Sequence, residues 1–103
     1  MAHVEIDAGI CGFTTIVDAV MDGDECVLTI ESPCAAIQEM GKELGRVDPF
    51  REILFRGKGP AILDSARRHC HHPACPVPAG VVKAVEVAAG LALPRDVAIR
   101  VSR

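Results

Sequence analysis

The sequence predicts an α+β domain. It has a three-stranded antiparallel sheet at the N-terminus, three to four helices packed on that sheet, and a short C-terminal strand. Period-two alternation of apolar residues fills the first third of the chain. Helical spacing then takes over, punctuated by the starts Ser32-Pro33, Asp48-Pro49 and Pro60. Alternation returns at Val97, Ile99 and Val101. A chain of 103 residues makes one domain, residues 1–103, long enough to bury a core without staples.

The elements follow in order. Val4, Ile6 and Ala8 alternate with His3, Glu5 and Asp7, a half-buried strand. Gly9-Ile10-Cys11-Gly12 interrupts it as a turn or bulge. Phe13, Thr15, Val17, Ala19 and Met21 form the inner face of a second strand, and Asp22-Gly23-Asp24 is a hairpin signal. Cys26, Leu28 and Ile30 share one face of a third strand. Ser32-Pro33 suits a helix start, with Ile37, Met40, Gly41 and Leu44 as its inner stripe and Gly45 as its stop. Asp48-Pro49 opens a short helix through about Phe55, with Phe50, Ile53 and Leu54 inward. Pro60 begins a helix that buries Ile62, Leu63 and Ala66. After the loop Cys70–Pro76, a last helix carries Val77, Val81, Ala84, Val85 and Ala88 on one face and ends at Gly90.

Composition excludes several function classes. The net charge is −3 and there is no basic stripe, so phosphate neutralisation and nucleic-acid binding are not expected. With three Phe and no Trp or Tyr there is no base-stacking platform. No apolar run approaches membrane-spanning length, and the start lacks the pattern of a signal peptide, so the expected location is cytoplasmic. There is no Gly-rich phosphate loop, no G-x-S-x-G and no H-E-x-x-H. A Cys–His nucleophilic pair from Cys70 or Cys75 lacks an orienting group, so no enzyme activity is assigned.

The chemistry concentrates in five cysteines, an odd number that cannot all pair within one chain. The stretch His69-Cys70-His71-His72-Pro73-Ala74-Cys75-Pro76 holds two of them and three of the four histidines. Cys11, Cys34, Cys70 and Cys75 all fall at the ends of elements, where distant segments can converge. Cys26 is in phase with Leu28 and Ile30 and reads as a core residue. Cys34 and Cys75 lie near helix starts, whose partial positive charge favours thiolate, the form that binds metal. Four thiolates, or three with a histidine, complete a zinc site or hold an iron–sulfur cluster. The expected metal ligands are therefore Cys11, Cys34, Cys70 and Cys75, with His69 as an alternate. His71 and His72 read equally as ligands or as a solvated loop.

The order of motifs adds a resemblance. Cys11-Gly12 precedes a strand pair. Cys34-Ala35-Ala36-Ile37 follows those strands and opens a helix. His69-Cys70 precedes a later helix carrying Lys83-Ala84. This order, over roughly residues 9–89, resembles the U-type iron–sulfur cluster scaffold domains (NifU/IscU-like). The resemblance implies Cys11, Cys34 and Cys70 as ligands with His69 as a fourth, a cluster or zinc as cargo, and a cysteine desulfurase or a cluster recipient as partner. Ala74-Cys75-Pro76 also resembles the T-S-C-P-D motif of small cysteine-rich domains. Cys75-Pro76-Val77-Pro78 is similar to the C-P-x-P motif of small sulfur carriers, which implies a persulfide on Cys75. The remaining alternative is a non-catalytic packing or interaction protein with free core cysteines.

Overall fold

A computed structural model describes all 103 residues. Strand β1 (Ala2–Asp7) pairs antiparallel with β2 (Thr14–Asp22), and β2 with β3 (Glu25–Glu31). The β2–β3 hairpin closes on Gly23, whose φ of 62° suits the absence of a side chain. Helix α1 (Ala35–Glu43) follows, then the two-residue strand β4 (Arg46–Val47), which pairs with β3. Three helices complete the chain: α2 (Pro49–Glu52), α3 (Ala61–His69) and α4 (Val77–Ala88). The sheet order is β1-β2-β3-β4, antiparallel throughout.

The helices cover one face of this sheet. Ile6, Val17, Ala19, Cys26 and Leu28 bury their side chains on that face, as strict alternation requires. Helix α4 lies over β1 and β2, α1 lies against β3, and α3 packs on α1. The α4 stripe Val77, Val81, Ala84 and Val85 is 0–2% exposed. Gly80 allows α4 to approach β1 closely, since a Cβ there would occupy the space of the Ile6 side chain. No helix is long and apolar enough to cross a membrane.

The structure departs from the sequence reading in five places. The expected C-terminal strand does not form within this chain. Residues 93–103 are all exposed, and no strand is present there. The fourth strand is Arg46–Val47, too short for its alternation to register as a pattern. Helix α2 stops at Glu52 instead of continuing to about Phe55. Phe50 and Leu54 face solvent, and the buried side chains of α2 are Pro49 and Glu52. Helix α1 begins at Ala35, with Cys34 as its cap residue and Ser32 in the preceding turn. There the Ser32 hydroxyl oxygen accepts the Thr15 hydroxyl at 2.8 Å and the Cys34 N–H at 3.2 Å. This ties the start of β2 to the start of α1. Phe13, expected on the inner face of β2, lies outside the strand and is 39% exposed.

Candidate thiol site

Three cysteines lie near one another at the facing ends of α1, α3 and α4, with Cys70 between the other two in influence. Cys34 caps the start of α1, Cys70 caps the end of α3, and Cys75 lies just before α4. All three are half-buried and pack against the hydrophobic core. The α3 helix fixes Cys70 through its N–H, which donates to the Ala66 carbonyl at 2.7 Å. The loop fixes Cys75 through its N–H, which donates to the His72 carbonyl at 3.1 Å.

Cys70 is the centre of the group. Its thiol donates to the Met40 sulfur at 3.4 Å. Burial pushes the Cys70 thiol above its ordinary value, and negative charge on Cys75 and Cys34, with a hydrogen bond to Cys75, pushes it further the same way. At neutral pH Cys70 therefore keeps its proton. Cys34 is distant in sequence from Cys70 and Cys75, yet it lies close enough to raise the Cys70 value together with its near neighbour Cys75.

Cys11 is placed differently. It is exposed on the β1–β2 turn and does not contribute to the titration of Cys70. The turn holds its shape through the Gly12 N–H, which donates to the Gly9 carbonyl at 2.9 Å, with positive φ at both glycines. Sheet register sets its position. Asp7 pairs with Thr14 on either side of the turn, and Ile16 pairs with Glu31 just before Cys34. The turn and the start of α1 therefore lie at one end of the sheet. The first turn of α4 lies there too, because Gly80 sits against Ile6. Four cysteines share that end of the molecule; three of them form the half-buried group. Cys26 is fully buried within β3 and apart from them, as its strand phase predicts.

The histidines do not join the thiols. His69 Nε2 faces the Glu43 carboxylate at 3.1 Å. Glu43 also accepts the Ser65 hydroxyl and an Arg68 N–H. The Arg68 hydrogen bond first, then that of Ser65, hold the Glu43 carboxyl down at about 2. His71 and His72 are exposed. They line an open groove of about 460 Å³ together with Cys70 and Cys75. No three His, Cys, Asp or Glu side chains stand as they are in an arrangement that would hold a metal ion.

Thiols of this kind have two chemical uses. They can ligate a soft cation, which must displace the Cys70 proton. One that lines the groove can also carry sulfur. Sequence reasoning missed Met40 and Glu43. Met40 reads as an ordinary member of the α1 stripe, and only the fold reveals that its sulfur touches Cys70. Glu43 reads as a surface carboxylate, because its partners Ser65, Arg68 and His69 are more than twenty residues away.

No curated protein and no solved structure matches this chain. A family model does match, over residues 2–101, which is nearly the whole sequence. The chain belongs to that family, the family of unknown function DUF6951.

Proposed function

We propose that the chain binds a soft metal ion or an iron–sulfur cluster through Cys34, Cys70 and Cys75, with Cys11 brought in by the β1–β2 turn. The observation that carries this reading is the grouping of three half-buried thiols, with Cys34 from the start of α1 near the pair Cys70 and Cys75 that flanks the α3–α4 loop. The donor chemistry fits: thiolates favour zinc and iron–sulfur clusters over hard cations. The present geometry does not supply a finished site, so binding closes it. The thiols turn toward a common centre, and the turn between Gly9 and Gly12 moves Cys11 inward. His69 is the alternate fourth ligand, and using it breaks its contact with Glu43. The order of the cysteines, which resembles that of U-type scaffolds, supports the same reading and suggests a role in cluster assembly or carriage. A cysteine desulfurase or a cluster recipient is the partner class that role requires.

Metal and sulfide analysis of chain purified without oxygen tests the proposal, together with its visible spectrum. The expected result is bound zinc, or iron with matching absorbance, lost in Cys34→Ser and Cys70→Ser. Metal-free protein whose melting temperature does not rise with zinc(II) or ferrous iron contradicts it.

A second reading is favoured by one observation. Cys75 opens onto the groove, next to Pro78 at the start of α4, where a sulfur donor has access. On this reading Cys75 carries a persulfide. Mass spectrometry after incubation with a cysteine desulfurase and cysteine should then show added sulfur on Cys75, absent in Cys75→Ser.

A further inference from the structure

Residues 93–103 carry a strand pattern with no sheet to join. Val97, Ile99 and Val101 alternate with Ala98, Arg100 and Ser102, and the three apolar side chains are 64%, 78% and 89% exposed. Beyond Leu91 no backbone N–H or carbonyl makes an internal hydrogen bond. An isolated β-rich segment of this kind has both an unpaired ladder and an unburied face.

The same molecule has a matching vacancy at the edge of its sheet. β1 is an edge strand six residues long, and its outer row of N–H and carbonyl groups is unpaired. On the helix-covered side Ala2 and Ile6 are buried and Val4 is half-buried. A strand laid beside β1 would continue that apolar row with Val97, Ile99 and Val101. Above it runs the α4 stripe Gly80, Ala84 and Val87, whose last member is left half-exposed. On the opposite side β1 presents His3, Glu5 and Asp7, and the added strand would present Arg100 among Ala98 and Ser102. Charge is complementary as well. Glu5 and Asp7 give β1 two negative charges, and Arg95, Arg100 and Arg103 outweigh Asp96 in the segment.

The segment does not reach the β1 edge of its own chain. Gly90, with φ of 74°, ends α4, and the Leu91 N–H donates to the Glu86 carbonyl at 2.9 Å, a closure that directs the chain off the helix. Pro94 follows, and every residue from Leu93 onward is exposed. We propose that residues 97–102 pair with the free edge of β1 in a second copy of this chain. The exchange is reciprocal, so each sheet gains a fifth strand and the dimer has twofold symmetry. This pairing is independent of the thiol site.

Light scattering coupled to gel filtration of the full chain, with hydrogen exchange on the same samples, tests it. The native chain should elute with the mass of a dimer and show slow exchange at residues 97–102 and in β1. Ile99→Pro removes an N–H from the ladder and should yield a monomer with unchanged helical circular dichroism, with protection lost from both segments together. A monomeric native chain contradicts the proposal, whether the segment exchanges fast or is protected by its own β1. A dimer that survives Ile99→Pro with β1 protection unchanged also contradicts it.

Discussion

The Glu52 carboxylate is almost wholly removed from water, at 1% exposed. It can be, because it accepts the N–H groups of Ala61 and Ile62 at 3.1 and 2.7 Å. Those are orphan donors at the start of α3, whose own cap residue, Pro60, has no side-chain oxygen to offer. Hydrogen bonds to a charged acceptor contribute about 1.5–3 kcal/mol each, and these two act together. Glu52→Ala should therefore destabilise the chain by about 2–4 kcal/mol in urea unfolding, and Glu52→Gln by less, since one acceptor oxygen remains. Glu43 makes a prediction with a definite pH window. Its carboxyl is held at about 2, against an ordinary value of 4.5. The unfolded chain takes up this proton first as pH falls, so the stabilisation is complete above 4.5 and is lost between 4.5 and about 2. The melting temperature of the native chain should fall more steeply across that window than that of Glu43→Gln. At this scale the sequence was legible where a residue acts through its neighbours, as Asp48 does in capping α2 through the Phe50 N–H at 3.0 Å. It was illegible where the partner is distant. Glu52 sits in a stretch whose apolar residues, Phe50, Ile53 and Leu54, suggested a buried stripe, of which the fold leaves Phe50 and Leu54 in water.

Among the elements, α4 and the first three strands were the most readable, because each carries a sustained apolar period. The weakest reading was the end of the chain. Val97, Ile99 and Val101 have the right period for a strand, but a period shows that a segment can pair and not where its partner lies. The contact between α4 and β1 depends on one glycine. Adding a methyl at Gly80 would displace the buried Ile6 side chain. Gly80→Ala should therefore cost about 1–3 kcal/mol of stability through overpacking, despite the gain in helix propensity. Pairing it with Ile6→Val should recover part of that loss, which a double-mutant cycle in denaturant would measure. This element-scale contact also matters for the site, because it holds the start of α4, and with it Cys75, at the Cys11 end of the sheet.

At the scale of the whole molecule, antiparallel register and three helix ends bring residues 11, 34, 70 and 75 to one end. The sequence reading expected more from element boundaries, that these four sulfurs converge on one site. The fold gathers three of these cysteines as a half-buried group and leaves Cys11 on an exposed turn. It turns His69 toward Glu43, which no local pattern around His69 could reveal. We have proposed that the thiols share one metal centre. X-ray absorption at the zinc edge of the zinc-loaded chain tests it most directly. Three to four sulfur scatterers at about 2.3 Å are expected, reduced in number by Cys34→Ser and by Cys70→Ser. A shell of nitrogen and oxygen alone, or a chain that retains no metal, would contradict it.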